Sequence, residues 1–248
     1  MSGHSKWHSI KHKKAATDSK RGKVFNKIIR EITVAARTGG GDPEMNPRLR
    51  MVMGKAKDAN MPADNIEKAV KKGTGELEGV SYEESIYEGY GPAGTAILIE
   101  VLTDNKNRTT AEVRSLFSKN GGNLGENGCV AWMFAKKGLI SVKKESIGEE
   151  ELFNIAVDAG AEDLKSDDEM GLYEITSEVD HFEAVKKALK DNKIPIENDD
   201  ITMLPKNYVK IQDESKIKQM VRLLEVLEDQ DDAQNVYTNA DIPVEAFE

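Results

Sequence analysis

Apolar residues recur at helical spacing three times before residue 75, and mostly at strand spacing or in alternation with helices afterwards. Phe25, Ile28, Ile29, Ile32 and Ala36 predict an amphipathic helix with lysines on its other side, ended by Gly39, Gly40 and Gly41. Asn46 as cap and Pro47 in the first position predict a second helix carrying Leu49, Val52, Met53 and Ala56. A third follows Met61-Pro62, buries Ile66, Ala69 and Val70, and is expected to end before Gly73. Each has one apolar stripe, and short helices of that kind persist only by burying their stripes together. The pattern therefore predicts a small helical domain.

The segment KKGTGELEGVS, residues 71–81, is rich in glycine and small polar residues and reads as a linker. Beyond it, residues 82–90 are expected to form an edge strand or hairpin arm, and 95–103 (TAILIEVLT) a buried strand. Thr109 with Glu112 has the form of a capping box for a helix carrying Val113, Leu116 and Phe117; residues 129–134 read as the next strand. Residues 139–204 then run strand, helix, strand, strand, helix, strand, with Glu149 to Glu151 opening the first helix and Asp180 with Glu183 capping the second. That order is the ferredoxin-like split βαβ arrangement.

After Pro205 come a strand at 208–211, a helix through Ile217, Met220, Val221 and Leu224, and a strand at 235–238. They lack a partner half, which residues 95–134 can supply. The expected fold is α+β: an N-terminal three-helix domain followed by two ferredoxin-like domains, one inserted in the other. The expected bodies are residues 1–79, residues 80–135 plus 206–248, and the insert 136–205.

Charge changes the picture more than composition does. Residues 2–37 hold ten Lys and Arg against Asp18 and Glu31, on a chain of 248 residues whose net charge is −9. Such a block attracts a polyanion and gains free energy by releasing its condensed counterions. Trp7 among these cations could stack on an unpaired base or anchor the arm to the core. With 32% charged residues and no apolar run long enough to span a membrane, a cytoplasmic, monomeric protein is expected. Cys129 is the single cysteine, which excludes an internal disulfide and a cysteine-based zinc cage.

Candidate chemistry is sparse. His4, His8 and His12 share a spacing of four, but the surrounding cations would repel a metal ion and the HExxH pattern is absent. The glycine-rich GGNLGENG (121–128) lacks the GxxxxGK[ST] spacing and sits between a helix and a strand, so it reads as a turn. Cys129 reads as an inert core thiol, the acidic runs 167–169 and 229–232 as solvated turns, and no nucleophile has a visible triad. No enzyme activity, metal or cofactor is expected.

The runs GHSKWHSIKHKKAATDSKRGKVFNKIIREI, KAKDANMPADNIEKAVKKG, YEGYGPAGTAILIEVLTDNKNRTTAEVRSLFSKNGGNLGENGCVAWMFAKKG and VYTNAD together resemble the YebC family of regulatory proteins, over nearly the full length. Cysteine stands at 129 where that family often has serine. The resemblance implies a helical domain followed by two α/β domains, and a non-enzymatic, probable DNA-binding transcriptional regulator. It also implies an alternative, since relatives are linked to translation, including relief of ribosome stalling at proline-rich stretches. The expected nucleic-acid contacts are Lys6, Trp7, His8, Lys11, Lys13, Lys14, Lys20, Arg21, Lys23 and Lys27, with Asn60 and Met61 as a lesser contact loop. The partner is DNA, or RNA in the ribosome. Phosphate contact alone does not discriminate between them.

Overall fold

The structure, a computed structural model, describes residues 18–247, with side chains from residue 22 to residue 246. Three helices come first: α1 (Asp18–Gly39), α2 (Pro47–Asp58) and α3 (Ala63–Thr74). Their stripes meet in one core of Ile28, Ile32, Leu49, Val52, Ala56, Met61, Ile66 and Ala69. Asn46 caps α2 as expected, its side chain accepting from the Leu49 N–H at 3.1 Å. Between α2 and α3 the chain turns through Asn60 at φ 55°, a left-handed conformation that asparagine tolerates. The Asn60 N–H donates to the Lys57 carbonyl and the Met61 N–H to that of Ala56, both at 2.9 Å, the paired bonds of a Schellman cap.

α3 does not stop before Gly73. It runs on to Thr74, because Gly73 is where α3 crosses α1: a Cβ there would lie 2.4 Å from the Thr33 carbonyl oxygen and 2.7 Å from Ala36 Cβ. Only a residue without a side chain permits that approach.

The first sheet contains β1 (Glu83–Tyr90), β2 (Ala96–Thr103), β3 (Asn123–Leu124) and β9 (Ala233–Thr238), in the order β3-β1-β2-β9, all pairs antiparallel. Helices α4 (Lys106–Lys119) and α7 (Glu214–Glu228) cover one face, burying Ile97, Ile99, Phe117, Met220, Leu223 and Leu227. The second sheet contains β4 (Phe134–Lys143), β5 (Ala161–Asp167), β6 (Leu172–Ser177) and β7 (Ile196–Pro205), in the antiparallel order β5-β6-β4-β7. It is covered by α5 (Glu149–Asp158) and α6 (Phe182–Asp191) around Ile140, Leu152, Ile175 and Leu189. Numbered within this unit the order is 2-3-1-4, the ferredoxin-like sheet. The fold is α+β, a helical N-terminal body followed by two bodies of antiparallel sheet and helices.

Several local expectations are corrected. Residues 129–134 are not a strand. A loop and a 3-10 turn (Ala131–Met133) precede β4, because the Glu88 carboxylate takes the N–H groups of Gly128, Val130 and Ala131 that a ladder would need. The strand at 208–211 shrinks to β8 (Val209–Lys210), which pairs in parallel with β10 (Ala240–Asp241), while β1 is not an edge strand but lies between β3 and β2 in the first sheet. Asn105, not Thr109, caps α4, since its side chain accepts from the Arg108 N–H. No side chain caps α6; a 3-10 turn (Val179–His181) leads into it.

Candidate nucleic-acid interface

The basic N-terminal block divides in two. Lys6, Trp7, His8, Lys11, Lys13 and Lys14 lie outside the described residues, as do His4 and His12. Lys20 and Arg21 stand in the first turn of α1, with side chains outside the description. Further along, Lys23, Lys27 and Arg30 recur at helical spacing and all reach the far end of α7. Lys23 Nζ donates to the Asp229 carbonyl at 3.0 Å, Lys27 Nζ to the Glu228 carbonyl at 2.7 Å, and Arg30 Nη1 to the Asp231 carbonyl at 2.6 Å. The Glu228 and Asp229 carbonyls are the negative end of the α7 dipole, and that of Asp231 lies in the turn just beyond, so a cationic stripe fits them. The acidic run 229–232 is thus not the solvated turn expected for it: it is the socket into which α1 docks.

Asp232 is the centre of that socket and is 1% exposed. Its Oδ1 accepts from Arg30 at 2.8 Å, and its Oδ2 from Arg108 at 2.9 Å and Thr109 at 2.6 Å. Burial pushes its pKa up, but the hydrogen bonds from Thr109 and Arg108 and the charge of Arg30 outweigh this and hold it below the ordinary value. The Gln230 side chain closes the turn by accepting from the N–H groups of Asp232 and Ala233, both at 2.8 Å.

A second polar junction joins all three bodies. Lys55 of α2 pairs with Asp200 of β7 at 3.1 Å, and Glu31 of α1 is an electrostatic neighbour of both. On the first sheet, Glu100 accepts from Tyr237 at 2.7 Å and Asn235 at 3.0 Å. Burial raises the Glu31 pKa, with Lys55 opposing and Asp200 reinforcing. For Lys55 burial alone would lower the value, yet Asp200 and Glu31 raise it. Together these contacts give the α1 body a fixed seat on the sheets.

The lesser loop is built for structure. Met61 is 6% exposed and belongs to the helical core, so it is not a surface contact; Asn60 is exposed beside it. Exposed cations on α2 and α3 include Lys57, Lys68 and Lys72. Cys129 is half-buried and burial pushes its thiol pKa up, as suits an unreactive thiol. Among the described residues no three His, Cys, Asp or Glu are placed to hold a metal ion, and no helix is long and apolar enough to cross a membrane.

Sequence reasoning missed Trp132, which is 63% exposed beside Tyr90. In an expected strand 129–134, alternation would have turned Val130, Trp132 and Phe134 to one buried face, so the only available signal pointed the wrong way.

The arrangement defines an α+β scaffold whose first helix is anchored to the sheets by its own basic stripe. Residues 5–76 match the family described as TACO1/YebC protein N-terminal domain, and residues 82–240 that described as TACO1/YebC second and third domain. The chain belongs to the TACO1/YebC family. A relative from Desulfosudis oleivorans, named probable transcriptional regulatory protein, is 58% identical over 98% of this chain and 97% of its own. One of the same name from Persephonella marina is 56% identical over 100% of this chain and 99% of its own. The crystal structure of a conserved hypothetical protein from Aquifex aeolicus superimposes with a TM-score of 0.80 at 48% identity, covering 91% of this chain and 92% of that one.

Proposed function

We propose that this protein is a non-enzymatic regulator of gene expression that binds nucleic acid through its N-terminal segment, working in the cytoplasm as a monomer. The observation that carries the reading is the charge asymmetry: ten cations against two acids in residues 2–37 of a chain with net charge −9. Relatives over 50% identical bear the name probable transcriptional regulatory protein, which supports a regulatory role and favours DNA as target. Lys6, Lys11, Lys13, Lys14, Lys20 and Arg21 grip phosphates, and Trp7 and His8 add stacking and hydrogen bonding. Lys23 and Lys27 anchor α1, since their ammonium groups already donate to the end of α7. We also propose that the chain divides into bodies 1–79, 80–135 plus 206–248, and 136–205, a division supported by the separate cores.

Replacing Lys11, Lys13 and Lys14 with Ala should weaken affinity for a promoter-length duplex and flatten its dependence on log salt by roughly 0.7 to 0.9 per lost contact. An unchanged slope overturns the arm as the phosphate grip. Co-sedimentation with ribosomes in preference to the duplex would move the target to ribosomal RNA.

A further inference from the structure

Tyr90 and Trp132 spend their polar handles on the same atom. Tyr90 Oη and Trp132 Nε1 each donate to the Cys129 carbonyl at 3.1 Å, one from the end of β1 and the other from the turn before β4. Both side chains are therefore oriented, yet Trp132 is 63% and Tyr90 37% exposed. A large ring held in place by its own N–H and left open to water is unusual for a packing residue, whose ring would be covered.

The support beneath them is equally fixed. Glu88 is 5% exposed, and its carboxylate accepts from Gly128 at 2.6 Å, Val130 at 2.7 Å and Ala131 at 2.6 Å. Three amide hydrogen bonds immobilise the loop and disperse the carboxylate's charge. A cation is tied to the same turn: Lys206 donates its main-chain N–H to the Met133 carbonyl and its Nζ to the Trp132 main-chain carbonyl, at 2.8 and 2.9 Å. Lys136 is exposed two residues into β4.

Resting on the nucleic-acid reading above, we propose that Trp132 and Tyr90 form a preformed platform on which an unpaired base of single-stranded nucleic acid stacks, with Lys206 beside its phosphate. Stacking on an aromatic face tolerates any base and needs no donor from the ring, so it suits side chains whose donors are already used. The platform lies at the Ala96 end of β2, which pairs with Tyr90, whereas α1 docks at the Leu102 end. The two places are about 20 Å apart at a strand rise of ~3.4 Å per residue. A strand gripped by the N-terminal segment would thus meet a second contact, made chiefly by stacking, at the end of the sheet opposite the α1 socket. That contact is closed to duplex, whose bases are already stacked.

The test measures binding of an oligouridylate of about twelve nucleotides and of a duplex of equal length. Trp132→Ala should weaken single-strand binding about tenfold, the loss of one base stack, with duplex affinity and the salt slope unchanged. Trp132→Phe should keep most of the affinity. In a Trp7→Phe background Trp132 is the sole tryptophan, and its emission should be quenched by the single strand and not by the duplex. Unaltered single-strand affinity in Trp132→Ala, with no quenching, overturns the platform while leaving the arm intact. Failure of the unmodified protein to bind either probe overturns the function proposed above together with it.

Discussion

At the scale of the residue, Asp232 is where the fold concentrates its electrostatics. A carboxylate that is 1% exposed and accepts from two arginines and two threonines leaves both arginines without their countercharge, and the donors on one side facing an NH2 group, when one oxygen becomes an amide. Asp232→Asn should cost on the order of 3 kcal/mol at pH 7, read from the midpoint of urea unfolding. Its folded pKa is depressed, so the contribution is complete above the unfolded value of ~3.9 and is lost as pH falls through the folded one. The gap between variant and wild type should accordingly narrow below about pH 4; equal midpoints at pH 7 would remove Asp232 from this role. Glu31 has the opposite sign. Burial raises its folded pKa, so the native state holds that proton more tightly and stability falls as pH rises from ~4.3 through the folded value. Glu31→Gln should therefore have a higher Tm than wild type at pH 7.5 and little advantage at pH 4; a lower Tm at both would show that its charge is needed by Lys55. Neither role was legible in the sequence. Asp232 reads as one acid in a polar run, and Arg30 stands some two hundred positions away.

At the scale of the element, the crossing of α1 and α3 at Gly73 sets two effects against each other. Gly→Ala inside a helix gains up to about 1 kcal/mol of propensity, but the new methyl would sit 2.4 Å from a main-chain oxygen that no rotamer change can move. Overpacking of that kind costs about 1 to 3 kcal/mol, so Gly73→Ala should destabilise, with a lower urea midpoint and an unchanged m value. A raised midpoint would show that the helices separate freely. The same glycine shows which elements can be read in advance. Helices with local signals were legible: Asn46 and Pro47 begin α2 where they should. Elements decided by distant partners were not. Thr109 has the form of a cap but its hydroxyl is claimed by Asp232, and the amides of the 128–131 loop are claimed by Glu88, forty residues upstream. A periodicity argument sees side chains, whereas these segments were settled by where their hydrogen bonds go.

At the scale of the whole molecule, the return of β9 to pair with β2 was legible, because a strand-helix-strand unit without a partner half must find one elsewhere in the chain. The place of β1 was half legible: it is the hairpin arm expected beside β2, but it also pairs with β3 on its other side and is therefore no edge. Least legible was that part of the basic block is spent inside the molecule, for a lysine open to a partner and a lysine facing a helix C-terminus look alike in sequence. The geometry makes that testable. Arg30 and Lys27 give their hydrogen bonds to Asp231, Asp232 and Glu228, and Arg30 also lies 5.4 Å from the centre of the Tyr82 ring. Replacing both with Ala should undock the helical body, leaving Asp232 with only part of its neutralising charge and costing about 2 to 4 kcal/mol. Amide hydrogen exchange should then quicken in α1 and at residues 229–232, and small-angle scattering should report a larger radius of gyration. The salt dependence of nucleic-acid binding should stay as it was, because these two cations are neutralised within the chain and release no counterions from a bound phosphate. A slope lowered by two contacts would show instead that α1 leaves its socket on binding and turns this stripe toward the nucleic acid.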